Sequence, residues 1–278
     1  MAFDPHLVDA AGTQHVQAGE GARIACLVPS ITELLCDLGL AAQLVARTGF
    51  CIHPRELVAD IPKVGGTKDV DLEKLRALRP SHVVLNIDEN TKATAEALAA
   101  FVPHLVVTHP QAPEDNLALY RLLGGVFGRL QQAEALCREL GAALEEARAT
   151  TAQQASATVL YLIWKDPWMT VAPDTYIART LATVGWQVLP QAAAARYPEI
   201  ALPEAAQAVE WVLLSTEPYM FRERHLAELG ALLPGKRIAL IDGEMTSWYG
   251  SRAIAGLRYL PRLRVQLETA PPASSNAL

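Results

Sequence analysis

The sequence predicts an α/β protein: two Rossmann-like lobes with mostly parallel sheets, joined by one long α-helix. Three observations carry this. Short apolar runs alternate with helical periods from Ile24 to Thr108, the pattern of a parallel sheet with crossover helices. The alternation stops between Pro113 and Ala149, where Leu117, Tyr120, Leu123 and Phe127, then Ala133, Leu136, Leu140 and Leu144, recur at helical spacing. It restarts near residue 157 in the same order. LEKL at 72–75 precedes HVVLN, and PEAA at 203–206 precedes WVLLS.

In chain order, residues 1–21 are polar and small and predict a flexible N-terminal arm. IACLV at 24–28 predicts a strand. Ser30 is placed to cap the helix that follows, with Glu33 completing a capping-box spacing, and Gly39 closes that helix. Residues 44–46 predict a short strand running into the loop TGFCIHP. Asp71 caps a helix whose first turn holds Glu73. HVVLN, a helix from Thr91 and HLVVT complete an N-terminal lobe over 22–112. A helical linker spans 113–154, and its second helix, near 20 residues, is about 30 Å long. The C-terminal lobe covers 155–268, with strands at 157–163, 188–189, 211–215 and 237–242, and a disordered tail follows over 269–278.

The formal charge of −6 and the lack of a basic stripe exclude an electrostatic nucleic-acid binder. No apolar run approaches the length of a membrane span. The segment after Met1 has neither a basic nor an apolar leader region, which predicts a cytoplasmic protein, or a periplasmic one if the natural N-terminus is longer. The four cysteines form no CxxC pair and no disulfide framework.

Ligands of open α/β sheets bind beyond the carboxyl ends of the strands, and in a two-lobed chain those ends can border a cleft. The stretch IWKDPWMTV at 163–171 holds two of the five tryptophans around a charged pair, and Pro167 forces the backbone of Asp166 out of the helical region. Trp164, Lys165, Asp166 and Trp168 are therefore candidate ligand contacts. Phe50 and Lys68 join them from the first lobe; Tyr197, Trp248, Tyr249 and Arg252 join them from the second. Aromatic walls with a few charges suit a large planar or amphipathic ligand. Arg252, at the start of a helix where the dipole disfavours a cation, calls for an anionic partner. Cys51 and His53 are weak metal-ligand candidates; a lone Cys-x-His more often packs a loop. No GxSxG, HExxH or Gly-rich dinucleotide turn is present.

PSITELL at 29–35, VGGTKDVDLEKLRALRPSHVV at 64–84 and the long linking helix resemble the helical-backbone substrate-binding proteins of metal-chelate ABC transporters. The likeness runs in order over roughly 22–268 and is nearest to the cobalamin-binding branch. It implies two lobes held by a rigid helix and a corrinoid or other metal chelate sandwiched by aromatic side chains of both, at Phe50 and at Trp168 or its neighbours with Tyr197. It also implies ligand contacts from the loop of Trp248, Tyr249 and Arg252, and docking of Glu73 and Glu204 onto a transporter permease.

The resulting expectation is a non-enzymatic chelate binder with no covalent cofactor. Three alternatives stay open. One is an ABC-transporter component for cobalamin, haem or a ferric siderophore. Another is a cytosolic enzyme acting on a tetrapyrrole or small metabolite, with Asp166, Glu244 or His53 in acid–base roles. The third is a bare-metal receptor using Cys51, His53 and an acid.

Overall fold

The computed structural model describes residues 7–269. They divide into two compact units. The first holds the chain up to Pro110, Glu114–Leu140 and Tyr249–Arg252; the second holds Gln111–Pro113, Gly141–Trp248 and the chain from Ala253.

In the first unit, β1 (Ile24–Cys26), β2 (Leu44–Arg47), β3 (His82–Asn86) and β4 (His104–Thr108) form a parallel sheet in the order β2-β1-β3-β4. Helices α1 (Pro29–Asp37), α2 (Arg55–Val58), α3 (Leu72–Ala77) and α4 (Lys92–Ala99) lie between them in sequence. Asp71 caps α3 by accepting from the Lys74 amide at 2.9 Å, and Thr91 caps α4 through Thr94. The helix after β1 differs from expectation. It begins at Pro29, whose fixed φ suits a first helical position, so Ser30 lies inside it and caps nothing. Glu33 is thereby released for another partner.

The flexible arm expected over 1–21 is, from residue 7, tied to the sheet. Asp9 accepts backbone N–H groups from Ala11, Thr13 and Val107 and pairs with His15 at 3.0 Å, while the Ala10 amide bonds to Val107 O at 2.9 Å. The segment thus covers the exposed edge of β4, a common protection against edge-to-edge pairing. Residues 1–6, and 270–278 of the expected tail, lie outside the described residues.

The expected linker is shared between the units. Helix α5 (Asn116–Val126) and the first half of α6 (Leu130–Thr151) belong to the first unit, and the second half of α6 to the other. Gly124 explains the close packing of α5 on α6: a Cβ there would stand 2.5 Å from that of Ala133. Arg121 on α5 pairs with Glu134 on α6 at 2.6 Å. The inward stripe of α6 is Ala133, Cys137, Leu140, Leu144 and Ala147, at spacings of three and four.

In the second unit, β5 (Ala157–Leu162), β6 (Trp186–Val188), β7 (Trp211–Ser215) and β8 (Arg237–Ile241) are parallel in the order β6-β5-β7-β8, the same topology as the first sheet. Helices α7 (Tyr176–Ala182), α8 (Leu202–Gln207), α9 (Glu223–Leu232), α10 (Gly243–Ser247) and α11 (Arg252–Thr269) complete the chain. Alternate residues of β5 and β7 feed two cores. Val159, Tyr161, Trp211 and Leu213 pack with Leu181 of α7 and Leu260 of α11. Leu160, Leu162, Val212 and Leu214 pack with Leu202 of α8 and Leu229 of α9. This burial on both faces is why the strands read as unbroken apolar runs.

Candidate functional site

In each sheet the strand order reverses at the first strand of its unit, β1 or β5. The crevice where a ligand is expected therefore lies beyond the ends of β1 and β3, and of β5 and β7.

The first unit holds its strand-end loops rigidly. Asn86 Oδ1 accepts from the amides of Asp88 and Glu89, and Asn90 Oδ1 accepts from Asn86 N. Asn90 Nδ2 donates to Leu27 O at 3.3 Å and Thr67 O at 3.0 Å, joining three loops. Lys68 donates to Asp88 O at 2.6 Å, and His109 stands 3.5 Å from the Asp88 carboxylate. Gly65, at φ +92, makes the sharp turn that sets Lys68 there. Phe50 is 64% exposed beside Gly66, with Ile52 and Ile87 also exposed. Cys51 is not available as a metal ligand. It is fully buried beside Thr48 Oγ1, at 3.1 Å, and desolvation pushes its thiol pKa up, which keeps it protonated. Among the described residues, no three His, Cys, Asp or Glu side chains gather to hold a metal ion.

Tyr249 and Arg252 are anchors in this unit. Tyr249 is 7% exposed and donates to Glu89; burial and then the nearby carboxylate push its phenol pKa far up. Gly250 donates to Asn116 Oδ1 at 2.6 Å and accepts from Tyr120 Oη at 2.9 Å. Arg252 does have an anionic partner, and it is Glu33 of the same unit, gripped by two bonds of 2.7 Å.

In the second unit the stretch 163–169 doubles back. Ile163 N bonds to Met169 O at 3.0 Å and Met169 N to Trp164 O at 3.2 Å, with Asp166 at φ +60. An aspartate tolerates that left-handed conformation better than most residues. The turn separates its two indoles. Trp164 remains 41% exposed and meets Tyr219 edge-on at 5.6 Å. Trp168 stacks parallel on the buried Phe221 at 6.2 Å. Lys165 lies 5.7 Å from the Trp168 ring centre and pairs with Glu228, a bond that raises its pKa. Tyr197 is 40% exposed in the segment after β6. Trp248, expected as an open stacking surface, is 7% exposed, and its indole N–H is given to Glu217 at 3.0 Å.

The candidates thus fall into two groups. Phe50, Trp164 and Tyr197 present apolar surface to solvent. Trp168, Trp248, Tyr249 and Arg252 brace loops from within their own units. Ile52, Ile87 and Met220 are also exposed in strand-end loops and stand outside the aromatic and charged candidates. Their one sequence signal is an apolar residue set among Pro, Asp and Glu.

The sequence model described as "Periplasmic binding protein" matches residues 24–218, well over half of the chain. This chain belongs to that family. Among curated proteins, an uncharacterized ABC transporter substrate-binding lipoprotein, YvrC of Bacillus subtilis (strain 168), is 27% identical over 65% of this chain and 59% of its own length. The chain therefore spans less than two thirds of that relative. The vitamin B12-binding protein of Vibrio campbellii is 22% identical over 74% of this chain and 72% of its own. Among solved structures, the periplasmic vitamin B12 binding protein BtuF of Vibrio cholerae matches with a TM-score of 0.77 at 14% identity, over 90% of this chain and 99% of that one. The periplasmic heme-binding protein RhuT from Roseiflexus sp. RS-1 matches at 0.74 with 20% identity, over 89% and 99%. At such identities these structures establish the fold.

The expected cytoplasmic location gains no support from this family, whose description is periplasmic and whose Bacillus member is a lipoprotein. Among the described residues, no helix is long and apolar enough to cross a membrane.

Proposed function

We propose that this chain is a non-enzymatic binding protein for a metal chelate, a corrinoid or haem-like macrocycle, serving as the substrate-binding component of an ABC importer. The observation that carries this is the set of large apolar side chains, Phe50 in one unit and Trp164 and Tyr197 in the other, held exposed on strand-end loops that are otherwise pinned by hydrogen bonds. Preformed loops lose little entropy on binding, which favours affinity. Membership of the periplasmic binding protein family supports a binding role, and the relatives that bind vitamin B12 or heme support a macrocyclic chelate.

Glu73 and Glu204 fit a permease-docking role. Each stands exposed in the first turn of the helix that precedes the central strand of its unit, β3 or β7. The two positions are topologically equivalent, as a pair of matching contacts requires.

Native mass spectrometry tests the reading. After incubation with a mixture of cobalamin, cobinamide, haem and a ferric siderophore, the expected spectrum has one chelate of unaltered mass bound per chain. A chemically altered chelate would favour the enzyme alternative, and no adduct would remove the chelate reading.

A further inference from the structure

We infer that Met220 is a specificity-determining contact of the binding face: an apolar tip that packs on the chelate next to Trp164. This rests on the chelate-binding reading above. Met220 is 59% exposed, in the loop after β7, a strand bordering the switch point of its sheet. Its neighbours explain why it projects. Phe221 is 1% exposed and stacks under Trp168. Tyr219 packs on Phe221 at 4.7 Å and on His225 at 5.7 Å.

The backbone closes a three-residue turn around it, with Phe221 N bonding to Tyr219 O at 2.9 Å and also reaching Ser215 O at 3.4 Å. The Tyr219 amide bonds in turn to Ile163 O at 3.3 Å, tying this loop to the strand end that carries Trp164. With both neighbours anchored inward, the side chain between them points to solvent. A single exposed apolar residue needs no explanation in itself. A methionine at the apex of a pinned turn is different, because most of its apolar side chain is left uncovered by the fold.

Trp164 meets the ring of Tyr219, the residue that precedes Met220 in the chain. The two exposed apolar side chains, one rigid and one adaptable, thus stand on loops joined through Tyr219. The thioether also accepts from Arg222 Nη2 at 3.1 Å, which limits its rotamers without burying it. A flexible, polarisable chain suits an uneven, alkyl-substituted macrocycle face, as in a corrin, better than a flat aromatic ring.

The test is titration of the full chain with dicyanocobinamide and with haemin, using unchanged protein and the variants Met220→Ala, Met220→Leu and Leu232→Ala. Leu232 is an exposed leucine at the far end of α9 and serves as the control. Loss of the packed side chain should weaken cobinamide binding about tenfold in Met220→Ala. Met220→Leu and Leu232→Ala should bind as the unchanged protein does. Cobinamide binding that survives Met220→Ala overturns the inference and leaves the chelate reading intact. Equal loss in Met220→Leu overturns the apolar assignment in favour of a bond to sulfur. Failure of the unchanged protein to bind either probe overturns both readings.

Discussion

The indole N–H of Trp248 donates to Glu217 Oε2 at 3.0 Å, two residues past the end of β7. The next residue, Tyr249, donates its hydroxyl to Glu89, three residues past the end of β3. Consecutive residues thus each hold a carboxylate in the loop after the corresponding strand of its own unit. Gly243 stands under the first of these loops, where an added Cβ would come within 2.6 Å of Glu217 N. Trp248→Phe keeps the ring and removes the donor. We expect a loss of about 1–2 kcal/mol in urea unfolding from the bond to a charged acceptor, with chelate affinity unchanged. Reduced affinity at full stability would return Trp248 to the binding face.

The Arg252–Glu33 pair is largely buried, with side-chain exposures of 13% and 16%. Removing either partner strands the other charge. Arg252→Ala should cost about 3 kcal/mol, read as a drop in the denaturant midpoint. The double variant Arg252→Met/Glu33→Leu should recover much of that loss, because neither charge is then left unpaired.

His82 sets an acid limit on stability. Burial, then the neighbouring rings of His104 and His15, lower its pKa from 6.5 to about 4. Its surroundings are Ser81 at 2.9 Å, the stacked His104 of β4, Phe127 at the end of α5, and the Asp9–His15 pair of the N-terminal segment. Between those two values the unfolded chain binds the proton and the folded chain does not. Stability is therefore full above pH 6.5 and falls as pH drops towards 4, by about 3 kcal/mol in all. Asp9 adds to the fall only at the acid end, since its carboxyl pKa is already low. Burial would raise that value, but His15 and the Val107 and Thr13 amides outweigh it. Denaturant unfolding at neutral pH and near pH 4 checks this, and His82→Gln should flatten the difference.

Trp164 and Trp168 make opposite predictions from one turn. Trp164→Ala should lower chelate affinity about tenfold or more and leave stability within about 1 kcal/mol, because its exposed ring contributes little to the core. Trp168→Ala removes a ring from the stack on Phe221 and should cost about 2–3 kcal/mol of folding stability. Thermal unfolding and titration of the two variants separate the roles.

Much of the fold was legible in the chain. Among the described residues, seven of the eight strands fall where apolar runs predicted them, while β6 is Trp186–Val188 rather than 188–189; the central strands, buried on both faces, must be apolar throughout. Asp71 announced its helix because capping is a local interaction. The start of α1 differs from the expected one because Ser30 and Glu33 fit a capping box, while Pro29 takes the first helical position and Arg252, 219 residues away, takes Glu33. The same long-range pairing hid the roles of Trp248 and Tyr249. Sequence marks residues able to bind a ligand, but it does not mark those already bound to their own fold. Exposed aliphatic residues such as Met220 carry no distinctive type, and only the turn around them gives them meaning.

The most direct test of the central claim is a tryptophan-fluorescence titration of the purified chain with cobalamin, cobinamide, haem and a ferric siderophore. The account predicts saturable quenching at sub-micromolar affinity by a macrocyclic chelate, abated in Trp164→Ala. A flat response to all four, from a chain shown to be folded, would contradict it.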